Sequence, residues 1–145
     1  AKVFPLWNGA GTVKVVICSE SGDVAPEATV SACSEYIESV RPIGAAVTVA
    51  SATALNLSVS ATISLDSSAS LAAVKAQFEK ALAEYLKSIA FEKAEIVYAR
   101  VGFLLLDIEG VADYSDLLLN GKAQNVTVES TQIPIVSEVA LLAGA

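Results

Sequence analysis

The chain has 145 residues, 54% of them hydrophobic and only 17% charged, with a formal net charge of −7 and no histidine. That length suits one domain, or two small lobes sharing a core, and the apolar share belongs to a packed chain rather than a disordered one. An acidic balance without any Lys/Arg cluster excludes the footprint of a nucleic-acid binder, and the lack of histidine excludes the usual nucleophile triads and most catalytic zinc sites.

The chain opens Ala1-Lys2-Val3-Phe4-Pro5-Leu6-Trp7, an apolar stretch with neither a basic region nor a signal-type hydrophobic run, so export is not indicated. Phe4 and Trp7 precede the first strand expected, where large aromatics either cap the core or anchor against another chain; they are the candidate partner-interface residues. Gly9-Ala10-Gly11-Thr12 resembles a phosphate loop superficially. It lacks GxxxxGK[ST] and precedes a strand instead of following one, so it reads as a plain turn.

Thr12 to Cys18 is short and β-branched and runs into the turn-rich Ser19–Asp23, which makes it the first strand expected. Pro26 then opens a helix with Val30, Cys33, Ile37 and Val40 on one face, ending at Arg41-Pro42. From Ala46 the period becomes two. Val47 and Val49, and then Leu55, Leu57, Val59, Ala61, Ile63 and Leu65, alternate with small polar residues. So long a strand needs a bend, expected at Ser51 to Ala54, where the boundary between two lobes is placed.

Ser70 is among the N-cap candidates for a long amphipathic helix whose inner face is Leu71, Val74, Phe78, Leu82, Tyr85, Leu86 and Ile89. Its outer face carries Lys75, Glu79, Lys80, Glu84 and Lys87, a solvated mixture. Ile96 to Ile108 fits a second helix ending at Gly110, with a strand as the competing reading because Gly102 interrupts it. Val111–Leu119 and Val126–Val128 flank Asn120-Gly121 and suggest a terminal hairpin. The tail, Ile133 to Leu142, has room for one more strand. The fold class expected is therefore α+β: two small α/β sandwich lobes, residues 1–52 as strand-helix-strand and 53–145 as strand-helix-helix-hairpin, with mixed or antiparallel sheets.

Little here carries chemistry. Cys18 and Cys33 define no disulfide framework; buried thiols in a reducing compartment are the plain reading, with a Cys18–Cys33 bridge left open. Asp107 with Glu109, or Asp113 with Asp116, lack the spacing of a calcium loop and read as solvated loop acids. Ser58, Ser60, Thr62 and Ser64 form a hydroxyl-rich strand face, a partner surface or the ordinary wet side of a one-sided sheet. Apolar runs such as Val101 to Leu106 are far short of the roughly 20 residues that cross a bilayer. No catalytic, metal or cofactor site is assigned, and neither a nucleic-acid nor a membrane partner is expected.

Phe4-Pro5-Leu6-Trp7-Asn8-Gly9-Ala10-Gly11-Thr12-Val13-Lys14-Val15-Val16-Ile17, followed by Arg41-Pro42-Ile43-Gly44-Ala45-Ala46-Val47-Thr48-Val49, resembles the C-terminal part of the baseplate J-like proteins of Mu-like and related contractile tails. Glu109-Gly110-Val111-Ala112-Asp113-Tyr114, Leu119-Asn120-Gly121 and Gln132-Ile133-Pro134 continue that pattern in order. The connection ahead of Pro42-Ile43-Gly44 is shorter than in many relatives. The resemblance implies a non-catalytic wedge component of a phage or prophage tail baseplate. It would contact other baseplate and tail proteins, oligomerise in a ring around the tail axis, help transmit the contraction signal, and be assembled in the bacterial host cytoplasm. It also implies further N-terminal domains, in keeping with a sequence that contains no methionine. The competing readings are a small-molecule-binding regulatory α+β domain in the bacterial cytosol, which needs a concave pocket with convergent polar groups, and, last, an enzyme using only carboxylates and hydroxyls.

Overall fold

The computed structural model describes residues 1–144 and is an α+β fold built on mixed sheets. In chain order the elements are β1 (Lys2–Pro5), β2 (Thr12–Ile17), α1 (Glu27–Val40), β3 (Ala46–Ser51), β4 (Thr53–Leu65), α2 (Leu71–Ile89), β5 (Glu95–Ile96), α3 (Tyr98–Leu106), β6 (Val111–Leu119), β7 (Val126–Thr127) and β8 (Gln132–Ala143).

The first sheet has the order β1-β2-β3. β1, a strand absent from the sequence reading, runs antiparallel to β2, and β3 returns parallel to β2 after the α1 crossover. Four residues ending in proline carry too little alternation to announce a strand; pairing with the β-branched β2 supplies what propensity lacks. Helix α1 starts at Pro26 and lays Val30, Cys33 and Ile37 half-buried on the sheet. No residue of it is fully buried, and Val40 is 61% exposed although it shares that face.

The bend expected after β3 falls at Ala52, a buried residue that sends the chain into β4 and the second sheet. There the order is β6-β4-β8, with β6 antiparallel and β8 parallel to β4. Leu57, Val59, Ala61 and Ile63 turn inward at period two, leaving Ser58, Ser60, Thr62 and Ser64 on the wetter face. Helix α2 covers the inner face with Val74, Phe78, Leu82, Leu86 and Ile89 buried, and the Ser70 hydroxyl accepts from the Ala73 N–H at 3.2 Å as an N-cap. The tail becomes a strand of 12 residues, as the sequence allowed.

Two expectations are corrected. Helix α3 is shorter than 96–108: Ile96 is buried on β5, the helix closes at Leu106 with the Asp107 N–H on the Phe103 carbonyl, and Gly110 (φ 94°) turns the chain into β6 instead of capping the helix. Gly102 is explained by contact, since a β-carbon there would lie 2.8 Å from Cζ of Tyr114. The terminal hairpin does not form. Asn120 (φ 49°) and Gly121 (φ 79°) make the tight turn, but beyond one Leu119–Lys122 bridge the returning chain leaves; β6 pairs with β4, and β7 pairs with β5. The polar Lys122–Asn125 has nothing to bury beside β6, whereas β4 shares the core with Leu117 and Leu119. Asn120 extends that ladder, donating its N–H to Ser58 O and accepting the Ser58 N–H on Oδ1, both at 2.8 Å.

Candidate docking surface

The loop from Leu6 to Gly11 closes the β1–β2 hairpin and is held by its own backbone. The Leu6 N–H donates to Thr12 O at 2.8 Å, and the Thr12 hydroxyl accepts from the Asn8 N–H and donates to Gly9 O. Leu6 takes φ 56°, a conformation an aliphatic residue adopts only when its surroundings impose it. Gly11 sits where a β-carbon would meet the Gly44 carbonyl at 3.1 Å, and its own carbonyl accepts the Ala46 N–H, so the hairpin loop and the α1–β3 turn are fastened side by side.

Arg41 braces that turn. Its Nε donates to Glu38 Oε2 at 2.6 Å, Nη2 donates to Oε1, and Nη1 donates to the Ala45 carbonyl at 2.6 Å. The hydrogen bonds from Arg41, aided by its charge, hold the Glu38 carboxyl below its ordinary range, and the same bonds raise the guanidinium.

β1 ends, β2 and β3 begin, and α1 ends at this same pole of the first sheet. The pole displays Leu6, Trp7, Val40 and Ile43, the last fully exposed at 104%. Among the described residues, seven of the eleven exposed large hydrophobic side chains fall within residues 1–51, so the bare apolar surface is concentrated on the smaller sheet.

Phe4 and Trp7 have different surroundings. Phe4 is half-buried against the cluster of Val16, Ala52 and Ile133, with the Lys2 ammonium 5.8 Å from its ring centroid. Trp7 stays 46% exposed with the Lys14 ammonium 5.2 Å from its ring. Leu6, Val40 and Ile43 were missed as site residues because each is an ordinary apolar residue until topology gathers them. The Pro42-Ile43-Gly44 turn, with an aliphatic where a turn usually carries a polar residue, was the available signal.

The other candidates stay apart. Gly9–Thr12 is the hairpin loop just described, and Cys18 and Cys33 are both free, Cys18 packing toward Val16 and Ile133 while Cys33 lies on α1. Asp107 and Glu109 lie in the exposed turn after α3, Asp113 and Asp116 on β6, and the described residues contain no group of His, Cys, Asp or Glu placed to hold a metal ion. The clefts are open and small, about 150 to 270 Å³. Among the described residues no helix is long and apolar enough to cross a membrane.

Two family models cover the chain, the baseplate J-like central domain over residues 1–51 and the baseplate J-like protein C-terminal domain over residues 57–142. The uncharacterized protein YqbT of Bacillus subtilis (strain 168) is 34% identical over 97% of this chain and 42% of its own length. The phage-like element PBSX protein XkdT of the same organism is 32% identical over 98% of this chain and 43% of its own. The chain thus spans about two-fifths of those relatives. Among solved structures, a chain of the anti-feeding prophage (AFP) baseplate, 6-fold symmetrised, shares the fold at a TM-score of 0.57 and 11% identity, covering 87% of this chain and 29% of that one. The aromatic hairpin, the Pro-Ile-Gly turn and most of the second sheet lie within the matched segments, and the chain belongs to the baseplate J-like protein family.

Proposed function

We propose that this chain is a non-catalytic structural part of a phage or prophage tail baseplate, a wedge piece that meets its neighbours through the apolar pole of its first sheet. The observation carrying the reading is that pole: Val40 at the end of α1 is exposed beside Leu6, Trp7 and Ile43, which lie on loops that backbone hydrogen bonds and the Arg41 clamp hold in place. A surface with no partner gains nothing from such apolar exposure, and a rigid one loses little entropy when it docks. Trp7 is the anchor, with its ring exposed beside Lys14, while Phe4 packs into the small core and fixes β1 on the sheet.

In this reading residues 1–52 and 53–145 are two lobes with distinct tasks, the first docking and the second supporting. The partners are other baseplate and tail proteins and further copies of the chain in the assembled ring, helping to pass the contraction signal, with assembly in the bacterial host cytoplasm. The family, the prophage baseplate neighbour and the phage-element relative support it.

Trp7→Ala combined with Ile43→Asp in the full-length protein tests it. The isolated chain should melt as the unchanged one does, because both side chains are exposed, while tails produced with the double variant should lose their baseplates under the electron microscope. Normal tails would refute the docking surface. Absence of the unchanged protein from purified tails would refute the baseplate role itself.

A further inference from the structure

The first sheet is only half covered on one of its sides. Phe4 and Val16 face the second sheet's lobe, where they pack with Ala52 and Ile133. Val3, Pro5, Val13 and Val15 alternate to the opposite side, the side of α1. A helix is about 10 Å across and strands lie about 4.8 Å apart, so one helix covers about two strands. The sheet has three, and α1 packs chiefly on β3, which leaves β1 bare. Val3 is accordingly 59% exposed, and Pro5 is exposed beside it. Even beneath the helix the layer is thin, since Val13, Val15, Val47 and Val49 are only partly buried.

Helix α1 turns a second apolar flank toward that gap. Val30, Cys33 and Ile37 point at the sheet, while Ala32 and Tyr36 stand one turn apart to one side of them, both exposed, Tyr36 at 69%. With the right hand that β-α-β crossovers take, this flank looks over β1. Glu27 and Glu38 lie on the opposite side of the helix. Bare β1 and the Ala32–Tyr36 flank are thus the floor and the wall of a groove, and Ala32 is small enough to let a second helix approach closely.

We propose that this groove is filled by a helix of the protein's own chain, the segment that leads into β1 in the full-length protein. The curated relatives are more than twice as long as this chain. A segment ahead of Ala1 enters the fold at Lys2, the start of the strand that lies bare. A helix joined to a strand by a short turn folds back along that strand, and the tether gives it an effective concentration that a free partner lacks. It lies antiparallel to α1 and completes a layer of two helices over the three strands. The four residues of β1 are about 13 Å long, which about nine helical residues match. Its inner face is apolar, because Val3, Pro5 and Ala32 offer no partner to a polar side chain. The inference rests on the uncovered part of the first sheet and is independent of the tail role.

Nitration by tetranitromethane, read by peptide mass spectrometry, tests it, because Tyr36 is exposed whereas Tyr85, Tyr98 and Tyr114 are partly buried. In this chain Tyr36 should react as an open tyrosine does. In the purified full-length protein it should react at least about tenfold more slowly, since only molecules with the helix lifted away are attacked. Restoring about 20 residues ahead of Ala1 to this chain, enough for the helix and its turn, should bring the protection back. Equal reactivity in the two proteins would overturn the proposal. So would protection that fades on dilution, which would assign the groove to a second copy, or protection in the full-length protein that the restored residues do not reproduce.

Discussion

Arg41 links the chemistry of one side chain to the shape of the apolar pole, because its guanidinium reaches both Glu38, one turn back on α1, and the carbonyl of Ala45 across the turn that carries Ile43. The pair is exposed, so it adds little to overall stability; its effect is positional. Glu38 is held below its ordinary value of 4.5 first by the hydrogen bonds from Arg41 and then by the attraction of its charge. A carboxyl with a lowered folded-state pKa contributes above its unfolded value and loses that contribution as pH falls through the lowered one. The clamp should therefore be intact at neutral pH and open only in acid, below 4.5. In an NMR titration Glu38 should protonate below its ordinary value of 4.5, and Arg41→Ala should bring it back up toward that value. If the substitution leaves the Glu38 titration unmoved, the clamp is not formed in solution.

Among the elements, α2 is the one on which the second sheet depends, since Phe78 and Leu82 are wholly buried in the middle of the larger core. Phe78→Ala or Leu82→Ala should each cost about 2 to 5 kcal/mol in denaturant unfolding, through lost transfer energy and the cavity left behind. A melt unchanged by both would mean that this face is not buried. That helix was readable from its spacing, as were α1, β2 and the paired run of β3 and β4, because each carries its own period and its own stop signal. Strand pairing was not readable. Asn120-Gly121 announces a turn and is silent about where the chain goes afterwards, so the expected hairpin was a correct turn attached to the wrong partner. β5 and β7, two residues each, exist only because they find one another. Among the candidate interface residues, Phe4 and Trp7 stood out by size alone, whereas Leu6, Val40 and Ile43 gained meaning only once three chain segments met at the apolar pole.

Across the whole molecule, two hydrophobic clusters of unequal size divide the interior. The larger lies between the second sheet and helices α2 and α3; the smaller has only Val16, Ala52 and Ile133 as its buried residues, with Phe4, Cys18, Ala90 and Phe91 packed around it. Ile133 is a residue of β8, and Ala90 and Phe91 follow α2, so the small cluster is where the first sheet holds to the rest. Few apolar contacts there mean that the first sheet can open locally at lower cost than the second. Shortening Ile133 should widen that difference, because the cavity falls on the joint and leaves Phe78 and its neighbours untouched. In hydrogen exchange, Ile133→Ala should speed exchange of the β2 amides, Val13 to Ile17, by up to about two orders of magnitude, as about 2 to 3 kcal/mol of lost packing allows, while the amides of α2 quicken much less. Equal acceleration in both would show that the chain opens as one unit and that the first sheet has no freedom of its own.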